Sequence, residues 1–424
     1  MGITMFGMAL GILLDAIIAA KFSVSRSTDI ILMSLSLPLF LDNVSREGIK
    51  FSFVPVLKTL HDTNRDDFNG LLTSLFNASF LLAIIFSGLI WVFAGGIFEI
   101  IAPGITDPTD VATGAYFLRI LAVGTIFVFP NAILSVSLNS QKQFRIVALR
   151  NVLLPAIVLV LIFATPNSWS QQGGTIILGY ASGFFVYFIW LLTRLRAHLG
   201  PWYCGLKIDY RLVRRATGAA FLWPTLGFIT TQGARVVQQS IATMLFPGAV
   251  AVFYFAFRVY SAIQTIIGNS LATVHIVDLV GLKADAAVFF RKVGKLLFVV
   301  FLLAGAAYGA IHLVGRPGLS FLYERANFDS QDLDQVLNLL YILGVGLFFN
   351  SAIPIVNAAL YSLAAFKSVF MNMLIFALAL IILSFMLSKE FSMEGLAWAV
   401  VVATTINFTG TVLFLKGNLR NGAK

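Results

Sequence analysis

Charged residues are scarce in this sequence. They make up 11% of its 424 residues, whereas hydrophobic residues make up 59%. A typical soluble domain is about a quarter charged and about half apolar. The apolar residues fall in runs of roughly 18 or more, enough for a helix to cross a ~30 Å hydrocarbon core. These features exclude an ordinary soluble domain and predict an all-α, polytopic membrane protein.

Cysteine and histidine, the usual ligands of transition metals, are also rare. Cys204 is the single cysteine, which excludes an internal disulfide, and the four histidines are too scattered to form a metal-binding motif. The sequence contains no glycine-rich phosphate loop and no Ser-His-Asp pattern. It therefore predicts neither an enzyme nor a metal site, and no cofactor is expected.

Twelve membrane spans are predicted from the apolar runs. They are 3–20, 29–57, 70–96, 112–138, 147–164, 174–193, 217–245, 249–276, 294–314, 336–364, 368–387 and 395–415. No basic segment precedes the first run, because Lys21 is the first cation, so residues 3–20 are expected to be a retained helix rather than a cleaved signal. Several spans contain proline, which membrane helices tolerate where other groups satisfy the freed carbonyl.

Lysine and arginine are distributed unevenly between the loops. The loops after even-numbered spans, together with the first four residues of the spans that follow them and the C-terminal tail, carry 19 of the 29 Lys and Arg residues, and the opposite loops carry 5. Positive loops stay in the cytoplasm, so both termini are predicted to be cytoplasmic. The net charge of +10 then reflects topology and contact with anionic membrane lipids, and no nucleic-acid partner is expected.

The longest predicted cytoplasmic connection, residues 194–216, divides the spans into six plus six. Transporters are often built from two such halves. We therefore predict an N-terminal lobe at 1–193, a linker at 194–216 and a C-terminal lobe at 217–424.

Span 2 contains four ionisable residues, Asp42, Arg46, Glu47 and Lys50. A charge in the middle of a membrane costs roughly 2.5–3.5 kcal/mol on insertion scales, and such residues usually face protein or water. Asp42, Arg46 and Lys50 share one helical face at i, i+4 and i+8. This spacing fits a self-neutralising ladder, and it equally fits a water-filled vestibule whose donors bind an anionic headgroup.

Three further mid-membrane charges are Asp15 in span 1, Arg235 in span 7 and Arg258 in span 8, whereas Arg119 lies near the outer end of span 4, where its side chain can reach the interface. Neither Arg235 nor Arg258 has an acid within helical reach in the sequence. Each therefore requires a partner on another helix, a ligand or a route to the membrane surface. Arg258 lies about nine residues inside its span, too deep for its side chain to reach the interface easily.

Residues 11–55, GILLDAIIAAKFSVSRSTDIILMSLSLPLFLDNVSREGIKFSFVP, resemble the opening of the MurJ/MviN family of lipid II flippases in the MOP superfamily. The matching residues are Gly11, Asp15, Ala19, Phe22, Thr28, Asp29, Leu37, Pro38, Glu47, Gly48, Phe53, Val54 and Pro55. Weaker resemblances occur at 253–274, 321–333 and 357–368. The resemblance implies two six-helix lobes around a central cationic cavity. A polyprenyl-linked, pyrophosphate-bearing saccharide would be turned over there by alternating access.

The resemblance also suggests site residues and shows departures. Asp15, Asp29 and Glu47 fall on acids of the family's N-lobe, and Arg258 falls on its C-lobe cavity arginine. The family's three N-lobe cavity arginines fall on Met8, Leu14 and Asp42, which are not basic. The candidate substrate-binding residues are therefore Arg258, Arg46, Lys50, Arg235, Glu47, Asp15, Asp29 and Asp42. Sodium binding is not expected, because span 11 has no acid and span 7 carries a cation.

The expected function is a flippase in the bacterial inner membrane for lipid II or a related cell-envelope or exopolysaccharide precursor. The chain lacks the start of the family's first helix and two helices after the twelfth, so lipid II itself is not favoured over related lipids. Two alternatives stay open. One is a MATE-like exporter of organic cations, which the lack of intramembrane acids in the C-lobe argues against. The other is a non-transporting scaffold for envelope-synthesis proteins, which the loss of three family arginines would fit.

Overall fold

The computed structural model describes residues 2–165, 173–216, 219–272, 286–363 and 365–422, which are almost entirely helical and contain no strand. The first half contains α1 (Gly2–Phe22), α2 (Arg26–Thr63), α3 (Arg65–Val92), α4 (Ala94–Ile101), α5 (Pro108–Thr125), α6 (Val128–Ser140), α7 (Phe144–Ala148), α8 (Arg150–Ala164), α9 (Gly174–Leu199) and α10 (Tyr210–Ala216). The second half contains α11 (Ala219–Thr243), α12 (Ala249–Gln264), a π-helical turn (Thr265–Asn269), α13 (Ala286–Tyr323), α14 (Ser330–Ser362) and α15 (Phe366–Gly422).

Ten helical segments of the described chain are long and apolar enough to cross a membrane. The predicted all-α membrane fold is therefore confirmed, whereas the count of twelve spans stays a prediction. Predicted spans 11 and 12 both lie in α15, whose backbone breaks at Ser392 with φ 51°. Predicted span 7 corresponds to α11, which is too polar to be among the ten.

Predicted span 4 is not one continuous helix. It comprises α5 and α6, which are separated at Ile126 and Phe127. Pro130 lies four residues after Ile126 and has no amide hydrogen to donate to the Ile126 carbonyl. The break therefore falls where the proline removes a helical hydrogen bond.

The chain divides into two compact units. Unit 1 is Met1–Phe22 with Arg26–Gln232, and unit 2 is Ser23–Ser25 with Gly233–Lys424. Ser23 and the amide of Val24 both donate to the carboxylate of Asp332, which ties the short segment to unit 2. The predicted lobe boundaries at 193 and 217 stay a prediction.

Helix α9 occupies the middle of unit 1 and packs against α5, α6 and α8. Its contacts with α5 and α8 are close because glycines lie at both crossings. A Cβ added to Gly124 would lie 2.6 Å from the Cα of Ala181, and one added to Gly179 would lie 2.8 Å from the Cα of Val158. Small residues allow the backbones of membrane helices to approach in this way.

Helix α14 is the central element of unit 2 and packs against α12, α13 and α15. Pro354 removes the amide that would bond to the carbonyl of Asn350. The side chain of Gln264, at the end of α12, donates to that carbonyl at 3.4 Å. The π-helical turn follows directly, and a Cβ added there to Gly268 would lie 2.6 Å from the carbonyl oxygen of Ser351. The Gln264 side chain thus satisfies the carbonyl that the proline leaves without its helical donor.

Candidate functional site

The charged segment of α2 is helical, as its spacing predicts, and it runs from the interior of unit 1 toward its surface. Asp42 is 3% exposed, Arg46 and Glu47 are half-buried, and Lys50 is exposed. The four side chains therefore experience different dielectric environments, and an ion pair at the Asp42 end is screened least by water.

Glu47 is the acid that pairs with both cations of α2. Its carboxylate lies 2.9 Å from Nη1 of Arg46 and 3.9 Å from Nζ of Lys50. Arg46 also donates from Nη2 to Oδ1 of Asn43 at 3.2 Å. These pairs differ from a ladder running from Asp42 through Arg46 to Lys50, because Asp42 is held by a different helix.

Asp42 forms its ion pair with Arg150, the first residue of α8. The exposed fractions of the two side chains are 5% for Asp42 and 13% for Arg150. Sequence alone groups Arg150 with the loop cations, because it stands at the end of an apolar run. The only signal for its role is that Asp42 is an intramembrane acid in need of a counter-ion, and that signal does not identify the partner.

Tyr187 of α9 lies near the Asp42–Arg150 ion pair, in the interior of unit 1. Its hydroxyl donates to the carbonyl of Val147 at 3.1 Å and lies 3.1 Å from Oγ of Ser135. The same hydroxyl is within electrostatic range of Asp42, Arg46 and Arg150. Three helices, α2, α8 and α9, therefore contribute to one polar region inside unit 1.

We refer to Asp42, Arg46, Glu47, Lys50 and Arg150 as the charge cluster. With three cations and two acids it has a net charge of +1. Nε of Arg46 and Nε of Arg150 are buried and have no hydrogen-bond partner in the described structure. A guanidinium offers its Nε and Nη donors as a planar fork that matches the oxygens of a phosphate. The cluster therefore contains two guanidinium donors that the described residues leave unsatisfied.

Asp15 and Asp29 are almost completely buried, with 1% and 0% exposure, and each makes polar or electrostatic contacts. Asp29 lies in the first turn of α2. It is thirteen residues before Asp42, or roughly 20 Å along the helix axis. The structure therefore does not bring Asp29 into the charge cluster.

In unit 2 the structure brings Arg235 to the part of α12 that carries Arg258. The guanidinium of Arg235 lies 5.5 Å from the centroid of the Phe257 ring. Tyr260 is close enough to interact electrostatically with Arg235, and its hydroxyl accepts a 2.8 Å hydrogen bond from Nδ2 of Asn350. Arg258 is half-buried and has a partner of its own.

No group of three or more His, Cys, Asp or Glu residues that could hold a metal ion occurs among the residues described. His275 lies outside those residues. The charged groups of the candidate site are arginines, one lysine and carboxylates, a set suited to binding a charged ligand.

Comparison with known proteins gives a consistent family and fold. The family model "Lipid II flippase MurJ" matches residues 18–421. A probable lipid II flippase MurJ from Thermotoga maritima is 23% identical over 414 residues, covering 97% of this chain and 82% of that protein. A solved lipid II flippase MurJ in an inward closed conformation superposes with a TM-score of 0.84 at 21% identity, covering 98% of this chain and 86% of the other. An inward-facing MATE family transporter of the MOP superfamily gives 0.82 at 12% identity, covering 98% and 95%.

Proposed function

This chain belongs to the MurJ family of lipid II flippases, and on that premise we propose that it translocates a polyprenyl-(pyro)phosphate-linked saccharide by alternating access. It is a multi-pass inner-membrane protein and a transporter rather than a catalyst. The proposed cargo is lipid II or a related envelope precursor, and its binding residues are proposals derived from the charge cluster and from the arginines of unit 2.

The observation that carries the proposal is the pair of buried Nε donors on Arg46 and Arg150. A buried donor without a partner costs about 1–3 kcal/mol, and more when the group is charged. Phosphate oxygens would satisfy both guanidinium groups. A cargo with a phosphate or pyrophosphate group is therefore the ligand that this chemistry favours, and an organic cation is the ligand that it disfavours.

Arg150 could replace one of the cavity arginines that the family resemblance leads us to expect. Asp42 occupies one of those positions with the opposite charge, but it holds Arg150 of α8 in an ion pair. We propose that this pair positions the Arg150 guanidinium, so that a cation supplied by α8 does the work of the missing cation on α2. In unit 2, Arg258 and Arg235 are proposed to bind the same cargo.

The test is translocation in proteoliposomes of a fluorescent polyprenyl-pyrophosphate saccharide, measured as the fraction that a membrane-impermeant quencher reaches. Arg46→Gln and Arg258→Gln should reduce the rate at least tenfold. Arg145→Gln is the matched control, because Arg145 is an exposed arginine of α7 outside the charge cluster. It should leave the rate unchanged.

A wild-type rate no higher than that of protein-free liposomes would overturn the proposal. A wild-type rate that none of the three substitutions changes would show transport that does not depend on these residues, and the proposed site would then be wrong.

The orientation with both termini in the cytoplasm is part of the proposal and rests on the distribution of lysine and arginine. The single cysteine provides a test, because Cys204 is exposed and lies in the predicted cytoplasmic linker. A membrane-impermeant maleimide should label it in inverted vesicles and not in intact cells. In a Cys204→Ser background, Glu324→Cys should give the opposite pattern. Labelling of Cys204 in intact cells would refute the orientation.

A further inference from the structure

The segment that follows α9 is hydrogen-bonded to α3. We call residues 200–209 the strap. Its backbone is hydrogen-bonded to one side of α3 through polar side chains of that helix. These bonds join Thr73 Oγ1 to the carbonyl of Trp202 (3.2 Å) and the amide of Cys204 (3.1 Å), Asn77 Nδ2 to the carbonyl of Gly205 (2.9 Å), and Ser74 Oγ to the amide of Asp209 (2.9 Å).

A cavity of about 420 Å³ lies between the strap, α3 and α9. Three of its seven lining residues are aromatic. The Phe76 ring packs edge-on against Trp202 and Tyr203, with centroid separations of 5.5 and 6.1 Å. Leu192 and Arg196 of α9 and the backbone turn at Gly200 and Pro201 form the rest of the lining. The cavity therefore combines apolar surface with one cationic side chain.

Arg196 has no ion pair or side-chain hydrogen bond within the described part of the chain. Its neighbour Arg194 is placed differently, since its guanidinium stacks 4.1 Å from the centroid of the Trp190 ring. Arg196 is thus an exposed cation at a mostly apolar cavity. Its five N–H donors are suited to an anionic oxygen ligand.

The strap and the residue after it expose large apolar and aromatic side chains. Leu206 is 89% exposed and Tyr210, directly after the strap, is 70% exposed. Basic residues surround them, and residues 194–216 contain six Lys and Arg against one Asp. Exposed apolar and aromatic side chains among basic residues are typical of segments that lie in the membrane interface.

The cavity also adjoins a run of exposed apolar side chains on α3. Phe76 stacks on Phe80 at 6.1 Å, and the next two turns of α3 expose Leu81, Leu82 and Ile84. A ligand with an acyl chain can therefore follow α3 away from the cavity without leaving apolar surface. A protein segment bound in the cavity would gain little binding energy from apolar surface that continues along α3.

We propose that the cavity binds an anionic phospholipid of the surrounding membrane. The phosphate pairs with Arg196, and the glycerol and the start of one acyl chain pack against Phe76 and Trp202. The occupant would hold the strap at the membrane interface. The proposal does not depend on what the protein transports, because no residue that lines the cavity belongs to the charge cluster or is one of the unit 2 arginines.

Native mass spectrometry of the purified full-length protein tests this proposal with phosphatidylglycerol and phosphatidylcholine as probes. Wild type should retain phosphatidylglycerol selectively. Arg196→Gln should lose that selectivity by roughly fivefold, the effect of one basic residue near an anionic surface. Arg194→Gln is the matched control, since it removes the same charge two residues away, and it should behave as wild type. Circular dichroism would verify that both variants are folded.

Three results would overturn the proposal. Equal retention of both lipids by wild type would show that the cavity does not select an anionic lipid, as expected if a protein covers it. Equal loss in Arg194→Gln and Arg196→Gln would indicate diffuse electrostatic attraction rather than a site. Displacement of phosphatidylglycerol by millimolar inorganic phosphate would indicate a site for free phosphate.

Discussion

The ion pair between Asp42 and Arg150 leads to the sharpest prediction about stability. Replacing Arg150 with Gln leaves the Asp42 carboxylate buried, with 5% of its side chain exposed, and without its counter-ion. Breaking a buried pair in this way costs about 3–5 kcal/mol, because the remaining charge is no longer compensated. We take the lower end, about 3 kcal/mol, since the Arg150 side chain keeps some contact with solvent.

The matched control is a second Arg–Asp pair in the same protein. Nη1 of Arg316 lies 3.0 Å from the Asp334 carboxylate, but these side chains are 59% and 49% exposed. Exposed pairs contribute about 0–1 kcal/mol, because water screens them and ordering both side chains costs entropy. Arg316→Gln should therefore lower the free energy of unfolding several times less than Arg150→Gln.

The assay is equilibrium unfolding in mixed detergent micelles, followed by tryptophan fluorescence. Wild type, Arg150→Gln, Asp42→Asn and the double variant form a double-mutant cycle. The coupling energy should be at least about 2 kcal/mol, with the double variant more stable than Arg150→Gln. A coupling energy near zero, or equal losses in Arg150→Gln and Arg316→Gln, would refute the assignment of a buried pair.

Two further predictions concern other parts of the fold. Gly268→Ala should destabilise unit 2 by about 1–3 kcal/mol in the same assay, because the added methyl group would overlap the carbonyl oxygen of Ser351. The control is Gly294→Ala, where nothing lies within 4 Å of the added methyl group, and it should be neutral or stabilising by about 0.5–1 kcal/mol. Equal effects of the two substitutions would contradict the close approach of Gly268 to Ser351. Glu47→Gln should raise the affinity for a phosphate-bearing polyprenyl lipid severalfold in native mass spectrometry, because it removes the acid paired with both cations of α2. A lower affinity would show that Glu47 is needed to position Arg46 and Lys50.

If the proposed anion site is correct, the charge cluster would account for a flippase that lacks the expected arginines. A guanidinium can reach a given point in a helical bundle from more than one helix. Here α8 supplies Arg150, and Asp42 of α2 orients it. Positions on a single helix are therefore a poor guide to the charge of a site that several helices build.

The sequence alone was sufficient to predict an all-α membrane protein. The apolar runs predict membrane helices, and the segments Met5–Phe22, Gly174–Leu199 and Ser330–Ser362 of the structure fall where these runs lie. Hydropathy is a local property that follows from composition, so it can be evaluated before any fold is known. Proline also acts locally, but Pro38, Pro155 and Pro354 lie inside continuous helices, so the sequence alone did not identify Pro130 as the proline at a break.

The sequence alone did not identify the partners of the charged residues. Arg150 is 108 positions from Asp42, and Arg235 meets Phe257 across two helices. Helical spacing favoured Arg46 as the partner of Asp42, but α8 brings a cation against the more buried end of the segment. The strap likewise reads as an ordinary basic linker until Thr73 and Asn77 are seen to bind it. Composition and periodicity determined that this chain spans a membrane and where its charges are scarce. Only the packing of helices decided which charges meet, because burial and ion pairing depend on neighbours that are distant in the sequence.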